Sequence, residues 1–303
     1  VMTSPTIWKK PEAILLATDL SGRCDRALDR AAALARQWNV RLVVLTVMPP
    51  DRSIYDRLLD PPSWSQLRTP AQLAETRLRR SLSEIDADLS VTLRIETGET
   101  SETILRVAQE EGCGMIVTGI ARNEIFQPIV LGSTVSWLVR HSPLPLLIVH
   151  NRPRRSYRQF VVACDFSTPS RHALEIASAY FDDPLSIALI HGFEVPRLGL
   201  MVMDASRDAL IEQERDAARA QARQYLKEAR IPDTVRERIK PVLEQGEPAR
   251  LLREYVRDHE SDLLVLSTYG RSALYGMLLG SVARQILESV QIDTLLVRDQ
   301  RAA

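Results

Sequence analysis

Two apolar runs, each closed by Asp-x-Ser, stand 146 residues apart in the chain: Ala13-Ile-Leu-Leu-Ala-Thr-Asp19-Leu-Ser21 and Phe160-Val-Val-Ala-Cys-Asp165-Phe-Ser167. Three further landmarks recur at a separation of 148: Gly98-Glu99 as Gly246-Glu247, Gly132-Ser133 as Gly280-Ser281, and Leu147-Ile-Val149 as Leu295-Leu-Val297. An offset that drifts by only two residues over four landmarks means two copies of one domain. The 303-residue chain is thereby restricted to folds that a unit of half its length can complete. Proline and arginine interrupt the apolar pattern at residues 151–156, so the domains are expected at 1–153 and 154–303.

Within each copy short β-branched and leucine-rich runs alternate with longer amphipathic ones. Copy one reads as strand 12–18, helix 22–38, strand 41–47, helix 71–88, strand 91–96, helix 100–111, strand 115–119, helix 132–141 and strand 145–149. Copy two repeats the pattern, with strands near 160–164, 185–190, 235–243, 262–267 and 293–297. Near-continuous apolar strands such as Arg41-Leu-Val-Val-Leu-Thr-Val47 suit a parallel sheet covered on both faces. The fold class is therefore α/β, two tandem doubly wound five-stranded parallel-sheet domains with right-handed crossovers. In the first helix Ala27, Leu28, Ala31, Ala32, Leu34 and Ala35 form the stripe that faces the sheet, while Arg23, Asp25, Arg26, Asp29, Arg30 and Arg36 fill the remainder. Ala218, Ala222, Tyr225, Leu226 and Ala229 form a similar stripe on a helix expected to start after Ser206 as its N-cap.

Lys plus Arg and Asp plus Glu each total 39, so a globally basic nucleic-acid binder is disfavoured. The arginine run at residues 153–158 reads as a solvated linker beside the domain joint. Cys24, Cys113 and Cys164 have no pairing pattern, which points to a reducing cytoplasm. Residues 1–10 do not resemble a secretory signal. The uncharged run 125–139 is too short and too polar to span a membrane. No GxxxxGK[ST] loop, Gly-x-Ser-x-Gly elbow or HExxH helix occurs, and the five histidines lack ligand spacing.

The glycines direct attention to the carboxyl ends of the strands. After the apolar run Leu263-Leu-Val-Leu-Ser267, a connection containing Gly270 ends at Gly280-Ser281-Val282, the start of a helix. Gly280 permits close backbone approach, and the amides of Ser281 and Val282 with the Ser281 hydroxyl can receive phosphate oxygens. Ligands on open parallel sheets bind at this end of the strands. Asp165 ends the first strand of the same copy; its carboxylate serves either a ligand or an Asx turn and helix cap. His191 is read as a strand-end structural residue or a pocket base, and Cys164 as a core thiol. The proline-rich segment 48–64 is longer than an ordinary βα connection, and burial of Tyr55 or Trp64 over the crevice or the domain interface is expected.

These motifs together resemble a tandem-domain universal stress protein (UspA-like) family, over nearly the whole chain. Besides Asp-x-Ser, the family carries a Gly-x2-Gly-x9-Gly-Ser/Thr signature after the fourth strand. The matching positions are Ser267, Gly270, Gly280 and Ser281 in copy two, and Gly119, Arg122, Gly132 and Ser133 in copy one. The resemblance implies an adenine nucleotide alpha-hydrolase-like sheet with strand order 3-2-1-4-5. It implies an adenine nucleotide, ATP or AMP with or without Mg, held in copy two by Asp165, His191, Gly192, Phe193, Gly270, Gly280, Ser281 and Val282. Copy one supplies Asp19, Val47, Gly119, Gly132, Ser133 and Thr134, with Arg122 in place of the middle glycine making it the weaker candidate.

The function implied is a cytoplasmic stress-response protein that couples nucleotide to conformation or partner binding, with no dedicated catalytic residue. An interaction protein that has lost the nucleotide and a weak ATP hydrolase are the alternatives. The two copies are expected to pair through their fifth strands as an internal pseudo-dimer, leaving a homodimer of whole chains open, with no membrane and no nucleic acid as partner.

Overall fold

The computed structural model describes residues 8–22, 24–48, 70–83, 88–120, 131–181, 184–195, 204–268 and 279–298. Copy one runs β1 (Ala13–Ala17), α1 (Asp25–Trp38), β2 (Arg41–Met48), α2 (Pro70–Ser83), β3 (Val91–Thr97), α3 (Thr100–Glu110), β4 (Met115–Gly119), α4 (Ser133–His141) and β5 (Leu146–Val149). Copy two runs β6 (Gln159–Ala163), α5 (Thr168–Tyr180), β7 (Ser186–Phe193), α6 (Asp204–Glu228), α7 (Asp233–Arg236), β8 (Ile239–Gln245), α8 (Pro248–Asp258), β9 (Leu263–Ser267), α9 (Ser281–Ser289) and β10 (Asp293–Val297).

The described strands form one ten-stranded sheet in the order β3-β2-β1-β4-β5-β10-β9-β6-β7-β8. Each half has the expected 3-2-1-4-5 order with parallel pairing throughout. The halves meet antiparallel, with Leu147 opposite Leu295 and Leu146 opposite Leu296. The fifth strands thus close against each other the edges that each copy alone would expose, as the sequence predicts. Because this seam is antiparallel, the strand C-termini of the two copies lie at opposite ends of the sheet.

Strand side chains alternate between two apolar layers, each of which runs through both copies. Leu16, Val44, Val117, Leu147, Val162, Leu189, Val265 and Leu295 face α1 and α5; Leu15, Leu45, Ile116, Ile148, Val161, Ile190, Leu266 and Leu296 face α3, α4, α8 and α9. This is the burial on both faces that the near-continuous apolar runs require. On the outer edge, β8 carries Pro241, which a central strand would not tolerate.

Three expectations need correction. Arg30 is not on a solvated face: it is 5% exposed, its Nε donates to Asp293 Oδ2 at 3.3 Å, and its guanidinium lies 4.0 Å from the Tyr157 ring centroid. Ser206 lies within α6, which begins at Asp204, so it is not an N-cap. The strand expected from 235 begins at Ile239, because α7 occupies 233–236; Arg236 holds that turn by donating to the carbonyls of Leu226 and Ala229. The segment containing Tyr55 and Trp64 lies outside the described residues, as do Arg23, Arg122 and Gly270.

Asp293 joins the copies. Its carboxylate accepts from Arg30, from the backbone amides of His150 (2.8 Å) and Asn151 (3.0 Å), and from the Tyr157 hydroxyl (2.5 Å). At 1% exposure, such a polar group is tolerated because its oxygens are matched by these donors. Burial first, and then the adjacent Asp293 carboxylate, push the Tyr157 phenol well above its ordinary value. Trp38 at the end of α1 packs edge-on against Tyr180 and tilts against Phe181, extending the joint with apolar contact.

Candidate functional site

Each copy forms a crevice where the C-terminal ends of its strands meet the start of its last helix. In both, Asp-x-Ser makes the turn that leaves the first strand. Asp165 Oδ1 accepts from the Ser167 amide at 3.0 Å and its hydroxyl at 2.5 Å, while Ser167 in turn caps α5 by accepting from the Ser170 amide. Asp19 Oδ1 accepts from the Ser21 amide at 2.9 Å and the Cys24 thiol at 3.1 Å. Burial alone would raise the Asp19 carboxyl, but hydrogen bonds from Ser21 and Cys24 outweigh it and hold the group below its ordinary value. The middle residue of each turn, Leu20 (φ 61°) or Phe166 (φ 59°), adopts the left-handed conformation that bulky side chains avoid. Of the two readings of Asp165 the structure shows the turn-forming one, and it also places the residue in the lining of the crevice.

The crevice of copy two encloses about 230 Å³ and takes in Asp165, His191, Gly192, Gly280, Ser281 and Val282 from the sequence-derived set. Its apolar lining comes from Ile190, Leu252, Leu266 and Ile286. Gly280 heads α9 with φ −64°, and its amide donates to the Thr268 carbonyl at 3.0 Å. A Cβ added to Gly280 would stand 3.5 Å from that carbonyl oxygen, an ordinary contact. The fold itself therefore does not demand glycine here; its absent side chain leaves open space in front of the helix. No described side chain caps α9, whose first-turn residues Ser281 and Val282 line the crevice at the positive end of the helix dipole.

His191 and Gly192 have structural explanations as well. His191 Nδ1 donates to the Cys164 carbonyl at 2.8 Å, and the ring lies 4.3 Å from the Phe166 ring centroid to centroid. A Cβ on Gly192 would come within 2.6 Å of the Gly246 carbonyl, so the close passage of the β8–α8 connection requires glycine. Phe193 does not line the crevice. Strand alternation turns it to the other face, where it packs with Ala218 and Leu243. Cys164 is buried and its thiol is pushed up to about 12 by burial, which removes it as a nucleophile.

The crevice of copy one encloses about 290 Å³ and brings together Asp19, Val47, Gly119, Gly132, Ser133 and Thr134, all of its expected residues. Gly132 heads α4 as Gly280 heads α9, again with no side-chain cap. Residues missed from sequence line both crevices: Thr100 and Ile104 in copy one, and their counterparts 148 positions on, Pro248 and Leu252, in copy two. The repeated Gly-Glu landmark was the available signal, since Glu99 and Glu247 cap α3 and α8 and the next residue turns into the crevice. Thr268 is a further lining residue of copy two, 1% exposed, with a buried hydroxyl that has no hydrogen-bond partner among the described residues.

No group of three or more His, Cys, Asp or Glu capable of holding a metal occurs among the described residues. No described helix is long and apolar enough to cross a membrane.

The sequence profile of the universal stress protein family matches residues 11–150 and again 156–298. Universal stress protein Rv2005c of Mycobacterium tuberculosis is 24% identical over 301 residues, covering 96% of this chain and 98% of its own. Universal stress protein Rv1996 of the same organism is 26% identical over 319 residues, covering 94% of each. Among solved structures, the functionally unknown protein PA1789 of Pseudomonas aeruginosa PAO1 aligns with a TM-score of 0.66 at 20% identity, over 96% of this chain and 94% of its own. A universal stress protein from Archaeoglobus fulgidus aligns with a TM-score of 0.63 at 18% identity, over 95% and 98%. At these identities the structures establish the shared fold, while two profile matches covering nearly the whole chain establish the kinship: the chain belongs to the universal stress protein family, with two family domains in tandem.

Proposed function

We propose that the protein is a cytoplasmic stress-response protein that binds an adenine nucleotide, ATP or AMP, with the copy-two crevice as its principal site, and that occupancy biases its conformation or its partner surface. The carrying observation is the convergence, at the strand C-termini, of a turn-forming carboxylate, an apolar slot and an uncapped helix N-terminus headed by Gly280-Ser281. An apolar slot suits a base, a carboxylate suits ribose hydroxyls, and helix amides with a serine hydroxyl suit phosphate. The crevice volume that Gly280 borders is what a phosphate needs to approach the backbone.

Copy two is preferred because it keeps the middle glycine of the signature, Gly270, where copy one has Arg122. A Mg ion would arrive with the phosphates and depend on them, since Asp165 is the single carboxylate among the described lining residues. No described side chain presents itself as a general base for hydrolysis, so binding is the proposed activity.

The test is calorimetry with ATP, ADP and AMP on nucleotide-free protein and on Gly280→Val, Asp165→Ala and Asp19→Ala, with folding checked by circular dichroism. Gly280→Val is expected to weaken binding at least about tenfold and Asp165→Ala to weaken it less, with Asp19→Ala close to wild type. Binding lost through Asp19→Ala but not through Gly280→Val would move the site to copy one. No binding by well-folded wild type would replace the reading with an interaction protein of the same fold.

A further inference from the structure

The arginine run beside the joint is solvated, as expected: Arg152, Arg154 and Arg155 are exposed. Residues 152–156 lie along α1 and with it border a wide, open groove of about 970 Å³, lined by Arg30, Arg36, Arg152, Arg154 and Arg155, with Asp29 as the one acid among its lining residues. Arg30 at its floor is neutralised by Asp293. Neutralisation of the linker arginines is weak: Arg152 lies 3.9 Å from Asp29, and Arg155 lies 3.5 Å from Glu260 and 4.0 Å from Asp262, while Arg154 has no ion pair among the described residues. The surplus is local, since the whole chain carries equal numbers of acids and bases.

What separates this run from an ordinary basic surface is the backbone that presents it. The Asn151 amide is bound by Asp293, the Arg155 carbonyl accepts from Arg30 Nη1 at 3.0 Å, and the Arg158 amide is held by both oxygens of Asp262. The same buried ion pair that locks the two copies together therefore fixes the strip from which the guanidinium groups project. The backbone part of the ordering cost has been met before any ligand arrives, and planar guanidinium groups suit phosphates through paired N–H donors. The groove lies on the α1 layer, whereas the apolar lining of both crevices comes mainly from the opposite layer.

We propose that this groove is a second ligand site, separate from the crevices, that takes an anion bearing two or more phosphate groups in a row. Inorganic oligophosphate and the phosphate tail of a nucleotide share that chemistry.

Tripolyphosphate, which lacks base and sugar, is titrated into the full chain in about 0.1 M salt, where long-range surface attraction is largely screened. Three proteins are compared: wild type, the groove variant Arg152→Ala/Arg154→Ala/Arg155→Ala, and a control, Arg219→Ala/Arg223→Ala/Lys227→Ala, that removes the same charge from the exposed face of α6. The exposed side chains changed in the groove are not those that hold the joint, so unfolding temperatures should match. Tripolyphosphate affinity is expected to fall at least about tenfold in the groove variant and less than about threefold in the control. ATP is then titrated into Gly132→Val/Gly280→Val protein, in which both crevices are obstructed. ATP binding there that vanishes with the groove arginines makes a nucleotide tail the source; no ATP binding leaves inorganic oligophosphate. The proposal is overturned if wild type does not bind tripolyphosphate, if both triple variants weaken it alike, or if a single-stranded oligonucleotide of matched charge binds more tightly. None of these outcomes depends on whether the crevices hold nucleotide.

Discussion

The two crevices share their frame and differ in their walls. Both keep the Asp-x-Ser turn with a left-handed Leu20 or Phe166, a Gly-Glu cap on the third-strand connection, and a Gly-Ser helix start. Left-handed leucine and phenylalanine cost about 1–3 kcal/mol each, so their presence in both copies marks the turn as part of what the fold must have. At matched positions the walls diverge: Val47 against Gly192, Ile120 against Thr268, and Thr100 against Pro248. The joint diverges further, since the residue that opens β10 is Asp293 where copy one has Pro145. Repetition thus fixed the backbone path, while the side chains that decide what enters a crevice, and those that hold the copies together, went separate ways.

The difference at the joint is expected to have the largest effect. Asp293→Ala leaves the Arg30 charge buried without its partner and strips acceptors from the Tyr157 hydroxyl and two amides. A loss of about 3–5 kcal/mol is expected by urea unfolding of the full chain. The double variant Arg30→Leu/Asp293→Ala should lose less than the sum of its single changes, because no unpaired charge remains. Additive losses would show that the pair is not the lock.

Next comes the wall at Gly192. A Cβ there meets the Gly246 carbonyl at 2.6 Å, a contact with backbone that cannot swing aside. Gly192→Ala should destabilise by about 1–3 kcal/mol. The matching register position in copy one already holds valine, so Val47→Ala should cost no more than an ordinary truncation. If Gly192→Ala is as stable as wild type, the glycine serves the ligand and not the wall.

Sequence made the frame legible because each of its parts is local: strand runs, turn chemistry and helix starts repeat at a fixed offset. It failed where a residue's role depends on a distant partner. Arg30 looks like a surface arginine on an amphipathic helix because Asp293 is 263 residues away. Phe193 stands next to Gly192 in sequence, but strand alternation turns its side chain away from the layer of Ile190 and Leu266, to pack with Ala218 and Leu243. Thr100 and Pro248 were missed one step beyond a recognised landmark, because a cap announces where a helix starts but not what its next residue faces. The groove beside α1 was hidden for the same reason as Arg30: only the fold brings residues 29–36 alongside residues 152–156.

The outer edge of copy one offers a pH test that copy two lacks. Arg41 and Arg94 hold Glu111 below its ordinary value of 4.5 through hydrogen bonds of 2.5 and 2.6 Å, first from Arg41 and then from Arg94. A depressed folded value stabilises the protein fully above the ordinary value, and that contribution disappears as pH falls through the folded one. Glu111→Gln should therefore cost about 1–2 kcal/mol at neutral pH and nearly nothing in strong acid, with the difference closing below pH 4.5. A pH-independent cost would place the effect in packing instead.

Thr268 is expected to give the smallest change in stability and the finest distinction between the crevices. Its hydroxyl is buried with no partner among the described residues, and the matching position in copy one is Ile120, 5% exposed. A buried hydroxyl without a hydrogen bond costs folding energy that an apolar group of the same shape would not. Thr268→Val should therefore leave stability unchanged or raise it by up to about 1 kcal/mol in nucleotide-free protein. If the hydroxyl is kept for a ligand in the copy-two crevice, the same substitution should weaken AMP or ATP binding about three- to tenfold by calorimetry, the scale of one lost hydrogen bond. A variant that is more stable and binds equally well would show that the hydroxyl serves neither fold nor ligand. One that is less stable would show that Thr268 has a partner in the folded protein and that the contrast with Ile120 is one of packing.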